Sequence, residues 1–229
     1  MGYLTFRLHL FTMRIPALLL FILITSYGKA QSDDYPDYRS KKEWFSKIYD
    51  APDIKRDLAS FTFAGIDESA GKLPLKSIPL AGDAFNFLRF EGEGITVKIV
   101  TANFDASKHK LSYYANPDNN QKYLVRIDNK PFYGAYGTLP KTGIERISVV
   151  IDHDSIAIPP AAYADIFNPS LTYSEAGVEK HINDVFRSPD GHRLYIYMLK
   201  RDDKGSYEVT WVIQDKKYLR RVLDYGFLK

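Results

Sequence analysis

Three apolar runs near the C-terminus decide the fold class of this chain: RLYIYML at 193–199, YEVTWVI at 207–213 and YLRRVL at 218–223. The polar segments 202–205 and 215–217 separate these runs, and their lengths allow sequential strands to pair antiparallel. The pattern predicts a three-stranded meander. Both faces of the first run carry large apolar or aromatic side chains, which predicts a strand that is central in its sheet or packed under a helix.

Side-chain alternation defines the register of the second run. Trp211 shares one face with Val209 and Ile213, whereas Glu208 lies on the other face, because successive side chains of a strand point in opposite directions. A slip by one residue would expose the tryptophan and bury the glutamate. The register is therefore expected to be firmly held.

The region upstream of the meander is rich in short strand-like segments separated by turn signals. Turns are indicated by Gly and Asn clusters, such as those at 91–94, 116–120 and 128–131. Short strands that recur about every ten residues are typical of a β-sandwich or barrel, and no helix–strand alternation suggests a parallel nucleotide-binding sheet. The predicted strands span residues 85–90, 95–101, 110–115, 122–127, 132–137, 144–152 and 155–158.

Two helices are predicted beside these strands. Apolar residues recur at helical spacing within 40–49, and Pro52 ends that helix; residues 53–61 fit either a second short helix or a strand. A second apolar stripe, with a capping box formed by Thr172 and Glu175, predicts a helix over 173–187. The expected fold is mainly β, an antiparallel sandwich-like body with a short N-terminal helix and one helix before the meander.

The N-terminus has the features of an export signal. A basic residue at Arg14 precedes the apolar run 15–24, and small residues follow at Gly28 and Ala30, so residues 1–30 are predicted to be a signal peptide cleaved before Gln31. The run is shorter than the roughly 20 residues that span a bilayer, so no transmembrane anchor is expected after cleavage. An uncleaved anchor is the alternative.

The predicted domain boundaries follow from this signal. Residues 31–39 are polar and are expected to be a flexible leader, followed by a single β-rich domain over 40–229. An alternative boundary lies near residue 169, where prolines interrupt the strand pattern. Either Met1 or Met13 fits as the start of translation, since residues 1–12 add only a weakly basic extension.

Charge and cysteine content exclude several classes of function. Residues 1–30 hold three of the 31 basic residues and no acid, so the remaining 28 bases balance all 28 acids. The chain beyond the signal is therefore neutral, which argues against nucleic-acid binding. The sequence has no cysteine, which excludes disulfides, thiolate chemistry and a lipid-anchoring cysteine. The sequence also has no Asn-x-Ser/Thr acceptor, because Pro169 blocks the one at Asn168. An exported chain without cysteine and without such an acceptor is more typical of a bacterial periplasmic or extracellular protein than of a eukaryotic one.

One polar trio is a candidate for metal binding. Asp152 and Asp154 flank His153 between two predicted strands, and spacing i, i+2 places both carboxylates on one side of an extended chain. Carboxylate oxygens are ligands for a hard cation such as calcium. The same trio also fits a plain hairpin turn, which is the favoured interpretation, and no other cofactor is expected.

Tyrosines are the candidates for ligand binding. Exposed aromatic rings can stack against the faces of sugars, and a sandwich can present such rings in rows; strand tyrosines also commonly fill cores. The predicted ligand-binding residues are Tyr113, Tyr114, Tyr133 and Tyr136. Two or three coplanar exposed rings among them would support a carbohydrate ligand.

No catalytic spacing occurs in the sequence, such as His-x-x-x-His or Gly-x-Ser-x-Gly. The chain is therefore expected to be a non-catalytic binding or accessory protein of the cell envelope or extracellular space, with a carbohydrate or an envelope protein as partner. One alternative is a hydrolase acting on cell-surface polysaccharide, which requires two carboxylates about 5–10 Å apart. Another is a structural subunit that joins an envelope assembly by strand addition.

Overall fold

The computed structural model describes residues 43–201 and 205–225 of the chain. The predicted signal peptide and leader, residues 1–39, lie outside this part. The helices are α1 (Glu43–Ser46) and α2 (Pro52–Leu58), and single 3-10 turns lie at Ile66–Glu68, Ala106–Lys108 and Pro160–Ala162. The strands are β1 (Lys76–Ser77), β2 (Leu80–Ala84), β3 (Phe87–Gly92), β4 (Ile95–Asn103), β5 (Leu111–Ala115), β6 (Lys122–Ile127), β7 (Thr142–Ile151), β8 (Asp154–Ile156), β9 (Tyr173–Glu175), β10 (Val178–Lys180), β11 (Asp184–Arg187), β12 (Arg193–Lys200), β13 (Tyr207–Gln214) and β14 (Lys217–Tyr225). The prediction of a mainly β fold is confirmed.

Two five-stranded antiparallel sheets dominate the described chain. Sheet A has the strand order β1-β11-β12-β13-β14, and sheet B has the order β2-β3-β4-β7-β8. Two further pairs, β5–β6 and β9–β10, form separate two-stranded ribbons. No helix among the described residues is long and apolar enough to cross a membrane.

The predicted meander is confirmed as strands β12, β13 and β14 of sheet A. Trp211 lies opposite Ile196 on one neighbouring strand and Arg221 on the other. Strand β12 is central in the sheet, between β11 and β13, as its two apolar faces predict. One irregularity occurs in β14, where a register shift leaves Leu219 as an extra residue, a β-bulge.

The main hydrophobic core lies between the two sheets. It combines alternate side chains of β3, β4 and β7 from sheet B with alternate side chains of β11 to β14 from sheet A. Each strand presents every second residue to this layer. Two sheets that pack face to face over one shared core form a β-sandwich. Its fully buried members include Leu88, Val97, Ile99, Val185, Ile196, Met198, Val209 and Trp211.

The outer face of sheet A is covered by the N-terminal helices. Phe45, Ile54 and Leu58 pack with Tyr195 and Val212 in a second buried cluster. Both faces of β13 are therefore buried. The expectation that Glu208 lies on an exposed face is wrong, because the segment after α2 covers it and leaves the residue 3% exposed.

The predicted helix over residues 173–187 is wrong. The segment forms the ribbon β9–β10 and then β11, which pairs with β12 in the centre of sheet A. Ala176 and Gly177 have positive φ angles of 51° and 77°, which suit a two-residue hairpin turn and end any helix. Val185, an apolar residue of this segment, is fully buried in the sandwich core. Short apolar runs fit either periodicity, and here strand pairing decides the outcome.

Three smaller predictions also differ from the structure. Residues 132–137 do not form a strand, because Gly134 and Gly137 have φ angles of +94° and +66°, outside the extended region. The proline-containing stretch 73–82, not predicted as strand, contains β1 and the start of β2. Within the predicted helix 40–49, the described helical residues are Glu43–Ser46. The undecided segment 53–61 begins in helix α2 and continues as turns.

The loop between β8 and β9 is fastened to the meander by two buried side chains. The indole N–H of Trp211 donates to the carbonyl of Ala162 at 2.7 Å. The guanidinium of Arg221 donates to both carboxylate oxygens of Asp165, at 2.6 and 3.1 Å. Core residues therefore lie on both sides of residue 169, the alternative domain boundary considered above.

Candidate functional site: a cleft at one end of the sandwich

A cleft of about 330 Å³ opens where the turns of sheet A and sheet B meet at one end of the sandwich. Its apolar walls come from Ile95 and Ile151 of sheet B and from Leu194 and Ile213 of sheet A. Its rim consists of charged residues, a histidine and a glycine from the adjoining turns and strand ends: Asp152, Arg187, Gly191, His192, Arg193, Asp215 and Lys216. An apolar interior with a polar rim is the usual composition of a small-ligand site.

Three tight hairpin turns lie at this end of the sandwich, and two of them carry the rim charges Asp152, Asp215 and Lys216. The turns at 93–94, 152–153 and 215–216 each have two consecutive residues with positive φ, between 49° and 73°. Two such residues define the turn type that matches the twist of antiparallel strands. Each turn therefore follows directly from its own hairpin, while the stacking of the two sheets places all three together.

Lys216 forms one ion-pair cluster across the cleft. Its Nζ lies 2.8 Å from a carboxylate oxygen of Asp154 and 3.4 Å from one of Asp152, so the β13–β14 turn of sheet A is linked to the β7–β8 turn of sheet B. The hydrogen bond from Lys216 lowers the pKa of Asp154, and the same bond raises the pKa of Lys216. Asp152 lies over Gly94, where a Cβ would be 2.6 Å from its carboxylate.

Glu93 forms a second ion-pair cluster that also joins the two sheets. It contacts Lys76 of β1 and, at 3.5 Å, the guanidinium of Arg187 of β11. Its pKa is lowered, first by the hydrogen bond from Lys76 and further by the positive charges of both partners. The Arg187 guanidinium passes close to Gly191, where a Cβ would be 3.1 Å from it, and Gly191 has a φ of +76°. Glycine at this position leaves room for the arginine.

A histidine–aspartate pair completes the rim on the sheet A side. His192 Nδ1 lies 2.7 Å from Asp215, and the Asp215 amide donates to the His192 carbonyl at 2.9 Å. Nearby, the hydroxyl of Ser188 donates to Asp190 at 2.5 Å, and this bond lowers the pKa of Asp190. Ser188 is buried with its hydroxyl bound to this carboxylate, so it is not positioned as a nucleophile for His192.

Asp152 and Asp154 lie where the turn interpretation placed them. Asp152 and His153 are the two central residues of the β7–β8 hairpin, so the turn prediction is confirmed. The carboxylates of Asp152 and Asp154 share the ammonium of Lys216, a partner that could not be predicted from the sequence. Among the described residues, no group of three or more His, Asp or Glu side chains could hold a metal ion.

The four predicted ligand-binding tyrosines do not form one surface. Tyr133 is 3% exposed and contacts Tyr225 in the core, whereas Tyr136 is 42% exposed. Tyr113 and Tyr114, both about half exposed, are consecutive residues of β5, so they point to opposite faces of the β5–β6 ribbon. Tyr133 is buried because its backbone pairs with the β8–β9 loop at Ile166.

Comparisons with protein-family models, curated proteins and solved structures find no match to this chain. The polar turns around the cleft were predicted as turns from the sequence, but not as a site. Arg187, His192 and Lys216 are far apart in the chain from Asp152, and no spacing motif connects them.

Proposed function

We propose that the protein is a non-catalytic binding protein of the bacterial cell envelope or extracellular space, and that its ligand occupies the cleft between the ends of the two sheets. The observation that supports this proposal is the combination of an apolar interior with a rim of charges from both sheets. A volume of about 330 Å³ suits a small molecule or one side chain of a larger partner.

The ion pair of Asp154 with Lys216 favours binding over hydrolysis. Asp152 and Asp154 both contact the same lysine atom, so their carboxylates are close enough for the two-carboxylate chemistry of a glycosidase. That chemistry needs one carboxyl group with a raised pKa to act as the acid. Asp154, one member of this pair, instead has a lowered pKa, because Lys216 donates a hydrogen bond to its carboxylate. Asp154 therefore stays ionised at neutral pH and serves as a fixed charge.

Strand addition receives less support than cleft binding. Within the described chain β14 is an edge strand of sheet A, nine residues long. The bulge at Leu219 interrupts its pairing pattern, and Arg220 forms a two-pronged ion pair with Asp50 at 2.6 and 3.1 Å. Bulges and charged residues on edge strands are devices that oppose pairing with another chain.

Methyl NMR tests the cleft directly. The protein, labelled at the isoleucine δ1 methyl groups, is titrated with amino acids, dipeptides, sugars, aliphatic amines and carboxylic acids. We expect at least one class of compound to shift the methyl resonances of Ile95, Ile151 and Ile213, which line the cleft. The resonances of Ile48 and Ile54, in the cluster beneath the N-terminal helices, should stay unchanged. A panel in which no class shifts the three cleft isoleucines contradicts the proposal.

A pair of variants on one strand separates the cleft from the rest of sheet B. Ile151→Phe places a larger ring in the cleft and is expected to abolish the ligand-induced shifts. Val150→Phe is the matched control, because Val150 is the neighbouring residue and points to the opposite face of β7. Equal binding by both variants would place the ligand elsewhere.

The location is tested separately from the ligand. Expression of the full sequence in a bacterial host, followed by mass determination of the protein in the periplasmic and culture fractions, is expected to show a chain that begins at Gln31. Recovery of the uncleaved chain in the cytoplasm would contradict the proposed export.

A further inference from the structure

We infer that the cleft recognises a small zwitterion that carries an aliphatic group, such as an apolar amino acid or a short peptide with free ends. This inference rests on the proposed function and specifies its ligand. The ligand ammonium would lie beside Asp152 and Asp154, its carboxylate beside Arg187, and its aliphatic group against the isoleucine walls.

The two ion-pair clusters at the mouth of the cleft carry net charges of opposite sign. The cluster of Lys216 with Asp152 and Asp154 has one cation and two anions, so it carries an excess negative charge. The cluster of Glu93 with Lys76 and Arg187 has one anion and two cations, so it carries an excess positive charge. Asp152, Lys216 and Arg187 line the same cleft. The mouth is therefore dipolar, and a ligand with two opposite charges complements it better than a ligand with one.

The existing ion pairs can be exchanged for contacts with a ligand. The Asp152, Asp154 and Lys216 side chains are 63%, 65% and 42% exposed, and exposed ion pairs of this kind add little to stability because water screens them. Arg187 lies 3.5 Å from Glu93, longer than the usual distance of a charge-assisted hydrogen bond. An incoming carboxylate can form a shorter, two-pronged pair with this guanidinium.

Two glycines keep the opposite charges at the mouth. Gly94 lies beneath the Asp152 carboxylate and Gly191 beneath the Arg187 guanidinium, and in both places a Cβ would come within 3.1 Å of the charged group. Each charged side chain is thus directed along a neighbouring turn rather than away from the protein. Between them, the side chains of Ile95, Ile151, Leu194 and Ile213 offer only apolar contact. An uncharged sugar would use neither feature.

The test compares ligands that differ by one charge or by the aliphatic group. Binding of leucine and of leucyl-leucine is measured by isothermal titration and by the isoleucine methyl shifts. The comparison compounds are 4-methylpentanoate, which lacks the ammonium, 3-methylbutylamine, which lacks the carboxylate, and glycine, which lacks the aliphatic group. We expect the tighter binder of leucine and leucyl-leucine to bind at least about tenfold more tightly than each of the three comparison compounds. Tighter binding of leucine would indicate an amino-acid site, and tighter binding of leucyl-leucine would indicate a peptide site.

Charge-removing variants assign each end of the ligand. Arg187→Gln is expected to weaken zwitterion binding about tenfold and to leave amine binding unchanged, whereas Asp152→Asn weakens zwitterion and amine binding but not that of the carboxylate. Lys76→Gln removes a 69% exposed cation from the Glu93 cluster without altering the cleft walls. Like Arg187→Gln, it is expected to weaken zwitterion binding. Arg89→Gln, in an exposed pair with Glu91 on β3, is the control and should have no effect.

The outcomes separate this inference from the proposed function. If single-charge compounds bind as tightly as the zwitterions, or if Arg187→Gln, Lys76→Gln and Asp152→Asn bind as the parent protein does, the zwitterion inference is wrong while the cleft remains a binding site. If none of the compounds, nor any other class in the wider panel, shifts Ile95, Ile151 and Ile213, both are wrong.

Discussion

Removal of the Glu208 carboxylate is expected to detach the segment after α2 from sheet A. Glu208 lies on β13 and is 3% exposed. Its oxygens accept hydrogen bonds from the backbone amides of Phe63 and Ala64, at 2.8 and 2.6 Å, and from the hydroxyl of Tyr197 at 3.1 Å. The pKa of Tyr197 is raised, first by burial and then by this carboxylate, so the tyrosine stays protonated and keeps donating.

The expected cost of Glu208→Ala follows from these three bonds. A hydrogen bond to a charged group contributes about 1.5–3 kcal/mol, and a buried donor that loses its acceptor is itself destabilising. Water can reach the partly buried amide of Phe63, so the effects do not add fully. We expect the free energy of unfolding to fall by about 4 kcal/mol, which lowers Tm by about 8–16 °C for a domain of this size.

Urea and thermal unfolding followed by circular dichroism measure this loss. Glu208→Gln keeps one acceptor oxygen but replaces the other with an amide group that cannot accept, so it should lose about half as much. Glu145→Ala, an exposed glutamate of β7, is the surface control and should change stability by less than about 0.5 kcal/mol. A loss below about 1 kcal/mol for Glu208→Ala would refute the reasoning that this carboxylate holds the helices on the sheet.

Two further predictions concern the close approach of Gly134 to the Phe167 backbone and the partly buried carboxyl group of Asp184. Gly134→Ala is expected to cost more than about 4 kcal/mol, because its Cβ would lie 2.0 Å from the Phe167 carbonyl, whereas Gly177→Ala, also at positive φ but with open space, should cost about 1–2 kcal/mol; similar losses in urea would contradict this. Burial raises the pKa of Asp184, so the folded state holds its proton more tightly than the unfolded state. The stability of the protein therefore falls as pH rises from the pKa of this group in the unfolded state through its pKa in the folded state. Asp184→Asn keeps an oxygen that accepts a hydrogen bond from Ser77 but cannot ionise. The substitution should therefore raise the stability of the protein more at pH 7 than at pH 3, as thermal melts of both proteins at each pH would measure. An equal effect at both pH values would contradict the prediction.

Local patterns predicted the meander and most of sheet B. Strands β12, β13 and β14 have alternating apolar residues and are bounded by polar turn residues, so their signal is contained in a few consecutive positions. The same local logic failed over 173–187, where an apolar stripe compatible with a helix belongs to strands. Gly177 in the middle of that stripe was the available warning, since glycine is unfavourable inside a helix.

The candidate site was visible only in part. The polar character of the turns at 152–154 and 215–217 could be seen in the sequence, and so could the preference of Asp152 for a turn. Their meeting could not, because Lys216 approaches Asp152 only when β7–β8 and β13–β14, from different sheets, end at the same side of the sandwich. The burial of Tyr133 could not be seen in the sequence for the same reason, because it depends on whether a distant loop covers the residue.

The sequence by itself determined a mainly β protein with an antiparallel meander, no cysteine chemistry and a balanced charge outside the first 30 residues. These properties depend on composition and on the alternation of neighbouring residues, which act over a few positions. Only the tertiary structure decided that Glu208 is buried, that 173–187 joins the central sheet, and that two oppositely charged clusters flank one apolar cleft. These properties depend on which sheet faces meet, and that is determined by burial of the whole core.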